Sequence, residues 1–141
     1  MTTAYQLLIA DVYELAGKSR RLSESDAAAM STTAAQWHVL SVVSDVPATV
    51  PAIAMRLGTV RQAVQRIVHD LNAAGRVELT PNPHHRRSPM VTLTDAGREL
   101  LEELWAATTP RRAAAMEKAG VTDDELVAAR AVIRRLIDAL D

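Results

Sequence analysis

The chain of 141 residues contains no cysteine and no phenylalanine, and its few Trp and Tyr residues make up 3% of it. The absence of cysteine excludes disulfides, thiolate zinc sites and thiol redox sensing. Hydrophobic residues reach 48%, and alanine supplies much of that total. A core poor in aromatics and rich in alanine suggests closely packed helices and a core shared between two subunits. The N-terminus lacks a basic-then-apolar signal pattern, and no apolar run approaches membrane-spanning length. A soluble cytoplasmic protein with no membrane partner is therefore expected. There is no phosphate-cradling glycine loop, and no nucleophile stands beside a base. Glu102-Glu103 reads as solvated helix surface and Asp123-Asp124-Glu125 as helix capping, so no enzymatic activity, catalytic residue or cofactor is expected. His84 and His85 could meet a metal ion only adventitiously, because neighbours on a hairpin point apart and no third ligand is obvious.

Charge is present but segregated. From Thr49 to Thr92 there are six arginines against Asp70 and Glu78, a net +4, whereas the remainder carries 10 basic and 15 acidic side chains, a net −5. A basic centre between acidic ends favours a polyanionic partner at the centre alone.

Within that centre, Thr59 to Gly75 reads as a helix. Val60, Val64, Ile67, Val68 and Leu71 recur at three- and four-residue spacing and share one face. Gln62, Arg66 and His69 fall on the opposite face, with Gln65 at its flank. Amides and guanidiniums make paired hydrogen bonds to adenine and guanine edges in the DNA major groove. Taken alone, the same face would suit a solvated surface helix. Thr59 and Gln62 have the spacing of a capping box, and Gly75 suits a left-handed closure.

The neighbouring segments give this helix a context. Ala4 to about Leu22 reads as a helix with apolar groups on more than one side (Leu7, Leu8, Tyr13 and Leu15 among them), followed by a polar connection, Ser23 to Ser31. Thr33 to Gln36 is a capping-box pattern opening a helix to about Asp45, anchored by Trp37, Leu40 and Val43. Thr49 caps the next helix, whose apolar members are Ile53, Met55 and Leu57 and which ends at Gly58. Helix, sharp turn and amide-rich helix form a helix-turn-helix. The period then changes to alternation in Val77 and Leu79 and again in Val91 and Leu93, predicting two strands. The intervening tip carries Arg86 and Arg87, which suits a wing reaching phosphates or the narrow minor groove. Thr94 caps a long helix with Leu100, Leu101, Leu104 and Trp105 on its buried side, and Pro110 must kink or split it. Thr122 opens a last helix with Leu126, Ala129, Ile133, Leu136, Ile137 and Leu140 on one stripe. The expected fold is mainly α with a small β-hairpin wing, divided as 1–32 and 95–141 for dimerisation and 33–94 for DNA.

The order and spacing of these parts resemble the MarR family of winged helix-turn-helix transcriptional regulators. The pieces that match are Thr33-Ala-Ala-Gln36-Trp37, Ile53 to Gly58, Arg61 to Arg66, Leu71 to Gly75, Asn82-Pro83 with Arg86-Arg87, and Leu93 to Gly97. The resemblance implies a homodimeric regulator, most simply a repressor, on a pseudo-palindromic operator. It also implies release by a small molecule, commonly a phenolic or other aromatic acid, bound in a cleft that Trp37, His38 and Trp105 could line. On this reading Gln62, Gln65 and Arg66 face bases with His69 at their edge, Arg61 holds phosphate, and Arg86 and Arg87 place the wing. Two positions depart from the family pattern. His85 stands where an Asp two residues before Arg87 is usual. Val60 stands where the recognition helix is usually capped by Ser, Thr or Asp, and capping by Thr59 instead would bring Arg61 nearer the phosphates. The alternative reading is a winged helix that binds an acidic protein partner, which should show an apolar patch in place of Gln62, Gln65 and Arg66.

Overall fold

Threonines start five of the six helices. The computed structural model describes residues 1–141. Its elements are α1 (Ala4–Ala28), α2 (Ala34–Val42), β1 (Ala48–Thr49), α3 (Val50–Leu57), α4 (Arg61–Ala73), β2 (Val77–Thr80), β3 (Met90–Leu93), α5 (Asp95–Ala119) and α6 (Asp123–Ala139). The hydroxyls of Thr3, Thr33, Thr49, Thr94 and Thr122 each accept the backbone N–H three residues on, satisfying donors that a first helical turn leaves free. The reciprocal capping box forms at Thr122 with Glu125, as the sequence predicts, and also at Thr3 with Gln6. At Thr33 it does not, because the Gln36 side chain instead accepts the Thr32 hydroxyl at 2.8 Å.

The first two helices differ in length from the sequence reading. Helix α1 continues through the stretch expected to be a polar connection, burying Ser23 and Ala27. Small side chains let it pack closely, and alanine favours the helix. The chain turns only at Ser31, whose φ is 55°. Helix α2 stops at Val42 rather than near Asp45. The Ser44 hydroxyl bonds back to the Ser41 carbonyl at 2.8 Å, and Arg98 of α5 donates to the Ser44 carbonyl at 2.9 Å.

Helix α3 begins with Pro51 in its first turn and ends at Gly58 with φ 64°, as expected. Met55, however, is 81% exposed. It lies two residues from buried Ile53, which on a helix is nearly the opposite face.

The sheet has three strands, in the order β1-β3-β2, where the sequence predicts two. β1 pairs Ala48 with Val91 and Thr49 with Met90, and β2 pairs Val77 with Leu93 and Leu79 with Val91, all antiparallel. Val77 is buried, but Leu79 is 43% exposed, so the predicted alternation is only half realised. β2 is an edge strand of this sheet.

Two compact units result, residues 1–105 and 106–141. The first holds the core, where Leu40, Ile53, Val64, Val68, Leu71 and Leu101 are fully buried and Trp37 is 3% exposed. Trp105, expected on the buried side of α5, is 37% exposed. Pro110 does not split α5, which is one helix of 25 residues. A proline crowds the carbonyl four residues earlier, here Ala106, where the second unit begins. That unit holds the rest of α5, a turn at Gly120 with φ 67°, and α6, none of whose residues is buried. No helix is long and apolar enough to cross a membrane.

Candidate nucleic-acid interface

Helix α4 separates its faces sharply. Val64, Val68 and Leu71 are fully buried and Ile67 is half-buried, while Arg61, Gln62, Gln65, Arg66 and His69 are all exposed. These five side chains are engaged in no hydrogen bond or ion pair with the rest of the chain, so their donors and acceptors are free for a ligand. Arg61, Gln62 and Gln65 come together with Val50 and Pro51 of α3 around a shallow recess of about 390 Å³. Arg66 lies one turn beyond Gln62, and His69 one turn beyond Gln65.

The start of α4 corrects the sequence reading. Val60 is the N-cap and supplies no side-chain bond, so the expected pairing of Thr59 with Gln62 does not form. Thr59 is already committed: its N–H donates to the Ala54 carbonyl at 3.0 Å and completes the closure of α3 behind left-handed Gly58. Arg61 is therefore the first helical residue, not the second. The other end matches expectation. Gly75 has φ 74°, and the Arg76 N–H returns to the Leu71 carbonyl at 2.9 Å.

Strand β2 follows directly, and the hairpin carries the wing. Its tip is held by Asn82, whose Nδ2 donates to the Ser88 carbonyl and whose Oδ1 accepts the His84 N–H, both at 3.0 Å. The backbone bonds His85 to Asn82 and Ser88 to His85 complete the turn at 3.2 Å each. His84, His85, Arg86 and Arg87 all project from this fixed loop as exposed side chains.

The end of α4, the wing and the start of α5 meet at Thr94. Its hydroxyl donates to the Gly75 carbonyl at 2.6 Å while accepting the Gly97 N–H at 3.1 Å, and its own N–H donates to the Arg76 carbonyl at 3.2 Å. Gly97 has no room for a side chain, because a Cβ there would collide with the Arg76 carbonyl oxygen and with Leu93.

His38 lies elsewhere, in a cleft of about 370 Å³ lined also by Ser41, Val42, Arg56 and Leu57. Burial lowers the pKa of its imidazole, and the charge of Arg20 lowers it further. Trp37 and Trp105, which the sequence groups with His38, do not line this cleft. Ser41 and Arg56 were not singled out from sequence. Ser41 follows His38 by three residues, a helical spacing that places both on one face.

A fold with this helix pair, sheet order and basic hairpin has known relatives. The model of the MarR family matches residues 31–88. The Mycobacterium tuberculosis protein Rv2011c is 46% identical over 136 residues, covering 94% of this chain and 92% of its own length. Escherichia coli MarR, solved with operator DNA, superposes with a TM-score of 0.71 at 22% identity, over 96% of this chain and 99% of that one. The chain belongs to the MarR family. As a MarR-family protein it is a winged-helix, DNA-binding transcription regulator. CouR of Rhodococcus jostii RHA1, solved bound to p-coumaroyl-CoA, superposes with a TM-score of 0.73 at 18% identity, over 89% of this chain and 88% of that one.

Proposed function

We propose that this MarR-family chain acts in the cytoplasm as a homodimeric repressor on a pseudo-palindromic operator and that a small organic ligand releases it. The observation that carries the DNA reading is the unpaired polar face of α4, where two amides and two guanidiniums lie exposed with no internal partner. Gln62, Gln65 and Arg66 read base edges, His69 sits at the margin, Arg61 holds a phosphate, and Arg86 and Arg87 anchor the wing. Apolar surface here is confined to the Val50–Pro51 recess and Val60, and the amides and guanidiniums beyond it favour DNA over an apolar protein contact.

Residues 33–94 supply the DNA-binding part, and 1–32 with 95–141 join the subunits. Support for the second role comes from apolar surface that the single chain leaves uncovered: Leu7, Tyr13 and Leu15 on α1, Leu126 and Val127 on α6, and Leu140 at its C-cap. For ligand release, the reading draws on CouR, which binds p-coumaroyl-CoA. The cleft at His38 and Arg56 offers a cation beside apolar Val42 and Leu57 and suits an organic acid.

Selection of bound duplexes from a random library tests the proposal. Enrichment of an inverted repeat with half-sites about one helical turn apart is expected. In the same assay Arg66→Ala should cost about 1–3 kcal/mol and relax preference at one base pair. Binding without sequence preference that disappears as salt rises would leave only an electrostatic surface and would favour an acidic protein partner.

A further inference from the structure

We infer that His84 and His85 are DNA-binding residues of the wing that engage phosphates as imidazolium ions, so that operator binding takes up protons. The inference rests on the DNA-binding reading above and adds two residues and a chemical state to it.

The geometry has three parts. First, the tip is a fixed turn. Asn82 holds Ser88 and His84 through its side chain, and the His85 backbone is bonded on both sides, to Asn82 and to Ser88. The two imidazoles therefore leave from a set backbone, and a contact made by them costs little further ordering. Second, both side chains are exposed and adjacent to Arg86 and Arg87, so four groups able to carry positive charge follow one another at the tip. Third, the hairpin itself supplies no counter-charge at its tip. The hairpin from Val77 to Leu93 has a single acid, Glu78, which sits opposite Thr92 near its base, whereas Thr80 opposite Met90 is the last pair before the tip. The charged neighbours of the imidazoles in their own loop are thus the two guanidiniums, since the Asn82 side chain is taken up by the Ser88 carbonyl and the His84 backbone N–H. An imidazolium there finds no carboxylate in its own hairpin, and DNA phosphates can supply the partner.

Histidine is the side chain whose charge changes in the physiological pH range. A group that binds a proton more tightly in the complex makes the complex tighter as pH falls. Recognition by Arg86 and Arg87 is independent of pH in this range. The proton dependence therefore belongs to the histidines.

The experiment is a titration of fluorescent operator duplex with the full-length protein from about pH 8 to about pH 6 at constant salt, with folding monitored by circular dichroism. Wild type should gain at least about tenfold in affinity, and its logarithmic salt slope should steepen by about 0.9 for each added phosphate partner. In the double variant H84N/H85N the gain should fall to within about twofold. A flat wild-type profile with sequence-selective binding overturns the inference alone. So does a gradient that persists in H84N/H85N, or one that disappears in H69N. Absence of sequence-selective binding at every pH would instead overturn the reading on which it rests.

Discussion

At Gly97 the start of α5 lies so near the carbonyl of Arg76 that a Cβ would collide with it. Gly97→Ala forces one of these two backbones to move, with an expected loss of about 1–3 kcal/mol. The check is thermal unfolding. An unchanged midpoint would mean that the Arg76 strand end yields freely. His38 is the other residue whose environment sets a measurable property. Its pKa is lowered on folding, by burial first and by Arg20 second. The unfolded chain therefore binds the extra proton more readily. The stability associated with neutral His38 is complete above the ordinary histidine pKa and is lost as pH falls through that value toward the folded one. His38→Gln should flatten the decline of the unfolding midpoint between about pH 7 and about pH 5. If the slope is the same in the variant, burial of His38 is not what acid disrupts. Acid thus acts on the two histidine sites in opposite directions, loosening the fold at His38 and strengthening the proposed wing contact at His84 and His85.

At the scale of elements, α4 is the helix that begins without a cap. Val60, 66% exposed, occupies the N-cap and leaves first-turn donors without a side-chain partner. Val60→Ser should stabilise the protein by about 0.5–2 kcal/mol, read by chemical denaturation. No gain would show that DNA-free α4 already frays at that end. Much of the element order was legible in the sequence because it is written in local chemistry. Thr49 and Thr122 cap where their hydroxyls can reach the third N–H on, Gly58 and Gly75 take the left-handed turns, and the spacing from Val64 to Leu71 defines one buried face. What escaped depends on distant partners. The two residues of β1 are too short for any periodicity and become a strand only because Val91 and Met90 lie opposite. The last turns of α1 look like a polar linker until Ser23 and Ala27 are seen to be buried. The competition for Thr59 was hidden for the same reason, since closing α3 and capping α4 draw on one residue. In the candidate site, the exposed face of α4 and the wing arginines were legible from spacing. The His38 cleft was not, because Arg56 reaches it from another helix.

At the scale of the whole molecule, the uncovered apolar surfaces of α1 and α6 carry the dimer proposal. Ile137 is 42% exposed in the single chain, so Ile137→Asp should leave the fold of one subunit intact. Sedimentation should then show a mass near that of one chain, against twice that for wild type. A monomeric wild type would remove dimerisation from the reading. The scarcity of aromatic side chains also gives the molecule optical simplicity. Its two indoles, Trp37 at 3% exposure and Trp105 at 37%, dominate near-ultraviolet emission and sit in contrasting surroundings. The shielded indole should emit at shorter wavelength and resist acrylamide, while the other is accessible to quencher. The quenched fraction of the signal therefore reports on the middle of α5, and the spectral position of the remainder reports on the integrity of the winged-helix core, without any attached dye.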